Sequence, residues 1–187
     1  MPAFSASVCL FCGARAGHGP HLAEIARETG VMLAQENWRL VYGAGDIGLM
    51  GEVAKATQAA GGQAFGVIPQ HLMRREVARH DLSTLVVTET MHERKKVMFT
   101  NSDAIVVLPG GAGTLDEFFE VLTWAQIGLH RKPVMLLDAQ GFWQPLLALI
   151  DHVVEQSFAE ASLRDLFTVV PDVPALADAL RVRLIKG

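Results

Sequence analysis

The sequence predicts an α/β protein, a single-domain Rossmann-like parallel sheet of about seven strands with helices on both faces. Three observations carry that expectation. Short runs rich in β-branched residues alternate with segments of helical spacing along the whole chain. Most of those runs are apolar throughout instead of alternating, as strands buried on both faces must be. Glycine clusters fall directly after three of them, where a parallel sheet collects its ligands. A length of 187 residues with 50% hydrophobic content suits one domain with a sizeable core, spanning 1–187.

Taken in order, residues 7–12 read as a first strand, followed by the turn Gly13-Ala-Arg-Ala-Gly17. Leu22, Ile25, Ala26, Met32 and Leu33 then recur on one side of a helix. Residues 39–42 form a second strand that runs into the glycines of 43–51 and an alanine-rich helix, with a left-handed cap expected near Gly61 and Gly62. Residues 64–68 make a third strand, stopped by Pro69, and an Arg-rich stretch over 74–79 leads to a fourth at 84–88. A helix is expected over 91–101 and a fifth strand over 104–108. The second half continues with a helix over 115–127, a strand over 133–137, a helix over 143–155 and a last strand over 167–170. Leu176, Leu180 and Leu184 mark a closing helix.

Composition excludes several classes of partner. A net charge of -4 offers no electrostatic case for nucleic acid or an anionic membrane surface, so any anion must be met by a local cluster. Neither a basic segment with an apolar signal core nor an apolar run of about 20 residues is present, which points to a cytoplasmic protein. Cys9 and Cys12 form a C-x-x-C, but two ligands do not complete a zinc site and the seven histidines lack metal-ligand spacing. The expectation is reduced thiols packed in a core, with no metal and no cofactor.

The stretch over 104–120 holds the chemistry. A buried strand breaks at Pro109, Gly110, Gly111 and Gly113, and a helix resumes near Thr114. The glycines let a ligand approach the backbone, and the helix start offers unpaired N–H groups with a positive dipole end, which suits a phosphate. Thr114-x-x-Glu117 also reads as a capping box, a purely structural role. On the helix over 91–101, Met91, Arg94, Lys95 and Met98 share one side, so two cations on a half-buried surface need an anionic partner. Glu117 and Glu120, one turn apart, could supply carboxylates. Gly43-x-Gly45-x-x-Gly48 matches a dinucleotide fingerprint, yet it follows the second strand and lacks an acidic partner about 20 residues on. No Gly-Lys-Ser/Thr follows any glycine turn, so a P-loop is not supported.

Pro109-Gly-Gly-x-Gly-Thr-x-x-Glu117 together with Met91-His-x-Arg94-Lys95 resembles the paired signature of the Lonely Guy family, the cytokinin riboside 5′-monophosphate phosphoribohydrolases. The resemblance extends over Cys9 to Gly13, Gly48-Leu-Met-Gly51, Gly66-Val-Ile-Pro69, Leu72-Met-Arg-Arg-Glu76 and Thr123-Trp-Ala-Gln-Ile-Gly. It implies hydrolysis of the N-glycosidic bond of purine nucleoside 5′-monophosphates to free base and ribose 5-phosphate, in a homodimer. It also implies Arg94 and Glu117 as the catalytic pair, and Glu76, Lys95, Gly110, Gly111, Gly113, Thr114, Asp116 and Thr123 as substrate contacts. Gly43, Met91, Met98 and Glu120 complete the candidate site. Ala44 and Arg15 stand where the family usually has a glycine and a small hydroxyl residue, which puts the width of the pocket in question. The competing reading from another class is a nucleotide-binding or carrier protein with the cradle but not the chemistry.

Overall fold

A computed structural model describes residues 4–73 and 82–184. The strands are β1 (Ala6–Phe11), β2 (Trp38–Tyr42), β3 (Ala64–Pro69), β4 (Thr84–Thr88), β5 (Ala104–Val107), β6 (Val134–Leu137) and β7 (Thr168–Val170). The helices are α1 (Pro20–Gln35), α2 (Gly48–Ala59), α3 (Met91–Thr100), α4 (Ala112–Gln126), α5 (Gln144–Glu155) and α6 (Val173–Leu184). Three short 3₁₀ segments, Gln70–Leu72, Ala139–Gly141 and Ala161–Leu166, add turns that hydrophobic spacing does not reveal.

All seven strands pair in parallel, in the order β4-β3-β2-β1-β5-β6-β7. The chain winds outward from β1 to β4, then crosses back to lay β5 on the other side of β1. The order therefore reverses between β1 and β5, which opens a crevice beyond their carboxyl ends.

Two cores sandwich the sheet, because successive side chains of a strand point to opposite faces. From β1, Val8, Leu10 and Cys12 pack with Leu22, Leu33, Val53 and Leu180 under α1, α2 and α6. Cys9 and Phe11 pack with Met98, Phe118, Leu122 and Ile150 under α3, α4 and α5. The two cysteines are free and buried on opposite faces, a direction in which no disulfide can form between them.

The end of α2 is as expected: Gly61 has φ 82°, and the Gly61 and Gly62 N–H groups donate to the carbonyls of Gln58 and Thr57. The start of α4 is not. Gly111 takes the cap position in extended conformation, with no side-chain cap, so the helix begins at Ala112, ahead of Thr114. Thr114 and Glu117 consequently lie inside the helix, too far along to cap its end, and the capping-box reading is set aside. The reciprocal cap sits at α3 instead, where Thr90 Oγ1 accepts from the Glu93 N–H and Glu93 Oε2 accepts from the Thr90 N–H, both at 3.2 Å. Glu76 and the rest of the Arg-rich stretch lie outside the described residues.

Candidate active site

At the reversal point the Gly13 N–H donates to the Pro109 carbonyl at 3.0 Å, tying the turns after β1 and β5 together. Above that tie lies a cavity of about 560 Å³, in the usual range for a small-molecule site. It runs along the strand ends. Leu72, Met91, Met50 and Arg94 stand at the β3 and β2 end, Gly13 and Arg15 in the middle, and Gly110 to Thr114, Asp116, Glu117 and Phe142 at the β5 and β6 end.

Arg94 and Glu117 line this one hollow from different helices. Arg94 is only 4% exposed, which makes its surroundings decisive. Its Nη2 donates to the Gly43 carbonyl at 3.1 Å, and its Nη1 lies 3.8 Å from the Met91 sulfur. A Cβ on Gly43 would sit 1.7 Å from Nη2, so a side chain there and this arginine cannot coexist as placed. Gly43 therefore stands behind the cation, making room for it, and is not itself on the cavity wall.

Of the helix starts that reach the cavity, those of α2 and α4 follow glycine turns, and among the described residues they differ: one is closed, the other open. At α2 the Leu49 and Met50 N–H groups both donate to the Gly13 carbonyl, at 3.0 and 3.4 Å. That turn is plugged by protein, which removes the pyrophosphate site the dinucleotide pattern would need. At α4 no acceptor takes the Ala112, Gly113 or Thr114 N–H among the described residues. A Cβ placed on Gly111 or Gly113 would meet nothing within 4 Å. The open donors, the dipole end and the vacant space coincide, the combination an anion uses.

The remaining expected residues divide. Gly110, Gly111, Gly113, Thr114, Asp116 and Met91 line the cavity. Lys95 does not: its ammonium donates to Asp116 Oδ2 at 3.0 Å and to Glu120 Oε2, bracing α3 against α4. Burial pulls the Lys95 pKa down, but the bonds from Glu120 and Asp116 outweigh it and hold the ammonium above the usual lysine value. Glu120 is thereby occupied outside the wall, Met98 is buried in the core at 1% exposure, and Thr123 is exposed along α4. The four residues expected on one side of α3 thus serve three surroundings, because a stripe wide enough to hold them spans the cavity wall, the helix seam and the core.

Other wall residues escaped the sequence reading. Cys12 lines the cavity. Burial first, and the Glu117 carboxylate second, push its thiol pKa up against the opposing pull of Arg94, so the thiol is neutral. Phe142 reaches the far wall from a turn in which Gln140 and Gly141 both have positive φ, a signal visible only in coordinates. Of the two departures noted above, Ala44 is wholly buried beside Ile68, with φ 59°, and does not narrow the cavity; Arg15 does stand on its wall.

The family profile described as "Possible lysine decarboxylase" matches residues 50–180. A rice protein (Oryza sativa subsp. japonica) named "Probable cytokinin riboside 5'-monophosphate phosphoribohydrolase" is 46% identical over 92% of this chain and 76% of its own length. A cytokinin riboside 5'-monophosphate phosphoribohydrolase of Arabidopsis thaliana is 42% identical over 92% of this chain and 81% of its own. The protein of that name from Rhodococcoides fascians is 42% identical over 94% and 89%. Among solved structures, the molybdenum cofactor carrier protein of Chlamydomonas reinhardtii superposes with a TM-score of 0.73 at 22% identity, over 97% of this chain and 99% of that one, a likeness of fold. The profile's description does not fit the cavity: among the described residues no lysine lines it, so nothing there could hold pyridoxal phosphate as a Schiff base.

Proposed function

Because this chain belongs to the Lonely Guy family of cytokinin riboside 5′-monophosphate phosphoribohydrolases, we propose that it hydrolyses the N-glycosidic bond of purine nucleoside 5′-monophosphates in the cavity between β1 and β5. The products are the free base and ribose 5-phosphate. The observation that carries this reading is a guanidinium and a carboxylate from two helices facing one hollow whose far end is an open helix N-terminus.

Cleaving the bond builds positive charge on the ribose while the leaving base gathers negative charge. Glu117 meets the first, stabilising the cationic sugar and orienting or deprotonating the attacking water. Arg94, permanently charged and anchored by the Gly43 carbonyl, meets the second. Both charges act from a partly dry wall, where preorganised groups are worth more than in water. The phosphate rests on the first turn of α4, remote from the bond that breaks, and its binding energy positions the sugar. The base then extends toward Met50, Leu72 and Met91, the apolar end of the cavity. Glu76 enters this reading as a substrate contact through the family resemblance alone, and Lys95, Thr123 and Glu120 as neighbours of the site.

The chain works as one domain over 1–187, and it pairs with a second copy of itself. The pairing is supported by exposed apolar residues along and beyond α4: Phe119 at 37%, Ile127 at 64% and Leu129 at 68%. Two free thiols accord with a reducing cytoplasm, and no helix among the described residues is long and apolar enough to cross a membrane.

The deciding experiment incubates the protein with AMP, prenylated AMP and adenosine and separates free base by chromatography. Base release from the monophosphates far above that from adenosine is expected. Equal turnover with and without the phosphate removes the anchoring role of α4, and binding without release returns the chain to the carrier reading.

A further inference from the structure

Among the described residues the cavity wall carries four charged side chains, Arg15, Arg94, Asp116 and Glu117. Two of them are carboxylates on the first turns of α4, beside the same N–H groups that would take a phosphate. A nucleoside monophosphate brings a nearly dianionic group to that end. Arg94 is committed elsewhere: its Nη2 is fixed on the Gly43 carbonyl at the β2 end. Lys95 offsets Asp116 only from outside the wall. Among the described residues the remaining cation is Arg15, without which their charges on this wall would sum to a negative value before the substrate arrived.

Its position matches that need. Arg15 follows Gly13 by two residues, and Gly13 is tied to Pro109 and packs 3.4 Å, at an ideal Cβ, from the Gly110 Cα. The backbone at Ala14 and Arg15 is fixed in turn against Gly48, where an added Cβ would fall 2.5 Å from the Arg15 nitrogen. A short anchored loop therefore holds the arginine on the wall of the cavity onto which the start of α4 opens. Its side chain is exposed, and it makes no hydrogen bond or ion pair among the described residues. A flexible, unengaged guanidinium beside a fixed nest of N–H donors is suited to closing on a phosphate bidentately.

Resting on the hydrolase reading above, we infer that Arg15 binds the substrate's 5′-phosphate opposite the α4 N-terminus and sets the preference for nucleoside monophosphates over nucleosides. It is a specificity residue, and the bond-breaking chemistry stays with Arg94 and Glu117.

The test compares wild type, Arg15→Gln and Arg15→Lys in steady-state turnover of AMP and adenosine, with inorganic phosphate as inhibitor and AMP binding measured by calorimetry. In Arg15→Gln the KM for AMP should rise roughly 10- to 100-fold, the scale of a lost charge-assisted hydrogen bond, with kcat changed far less. The AMP-to-adenosine ratio of kcat/KM should fall by a similar factor, and the phosphate inhibition constant should rise with it. Arg15→Lys should recover part of each, since charge is kept and the fork is lost. Equal losses on AMP and adenosine, or unchanged phosphate inhibition in a folded Arg15→Gln protein, would overturn the assignment. If wild type binds AMP but releases no base, the hydrolase reading fails alone: AMP binding weakened by Arg15→Gln still upholds the phosphate contact, and unweakened binding rejects it.

Discussion

The turns after β2 and β5 look alike on paper, each a run of glycines between an apolar strand and a helix, yet the fold uses them oppositely. In the β2 turn the glycines are closed by neighbours: Gly43 by the Arg94 guanidinium and Gly48 by the Ala14 carbonyl, whose oxygen lies 2.4 Å from where a Cβ would fall. Its helix N-terminus is filled by the Gly13 carbonyl. In the β5 turn Gly111 and Gly113 face open space, and the helix donors above them are untaken among the described residues. A glycine pattern therefore reports only that side chains are unwelcome. Whether protein or ligand takes the room depends on what stands opposite.

Four variants bear on that contrast. The largest effect is expected from the helix of the open turn. Glu117→Gln should lower base release from AMP by about 10²- to 10⁴-fold in a protein that still folds, since Glu117 lies inside α4 and the amide keeps the shape of the carboxylate. Near-normal turnover would detach the open turn from catalysis.

Gly43→Ala strikes the closed turn where it touches the site. Its methyl group and the Arg94 guanidinium cannot share one position, so activity should drop by about 10²-fold and stability by about 1–3 kcal/mol. Denaturant unfolding and base release, run together, read both; a stable and active variant would show that the arginine has another resting place.

Gly113→Ala should do the reverse of Gly43→Ala. A helical alanine with space around it gains up to about 1 kcal/mol, so thermal stability should hold or rise, while the KM for AMP climbs roughly tenfold as the methyl intrudes on the phosphate. Unaltered kinetics would place the anion elsewhere.

Lys95→Met, the smallest in activity, tests the brace between the two turns, since α3 carries Arg94 and α4 carries Glu117. Losing two charge-assisted bonds should cost about 1–3 kcal/mol of stability, read by chemical denaturation. A selective rise in KM with stability intact would instead return Lys95 to substrate contact.

Much of the molecule was legible beforehand. β4 spans the residues its β-branched run predicts, and β1, β2 and β5 fall within a residue or two of theirs. Runs of that kind are local signals, and burial on both faces leaves little else for them to do. The start of α4 was missed because Gly111 and Ala112 carry no capping side chain, so spacing alone placed the helix start at the first threonine. The cap at Thr90 and Glu93 was readable in the same letters and passed over. Within the site, Arg94 and Glu117 were legible as a pair, but the diversion of Lys95 to Glu120 was not, because it depends on how close α3 comes to α4.

From its letters alone this chain determined a parallel sheet with two covered faces, three glycine turns at strand ends, and a cation and a carboxylate carried beside them. Those are consequences of residue spacing, which acts within a few positions along the backbone. Tertiary structure alone decided which turn stays open, that Arg94 lines the cavity while Lys95 braces α3 against α4, and that Arg15 stands on the same wall. Each of those rests on strand order, which brings β1 beside β5 and so joins residues nearly a hundred positions apart around one hollow.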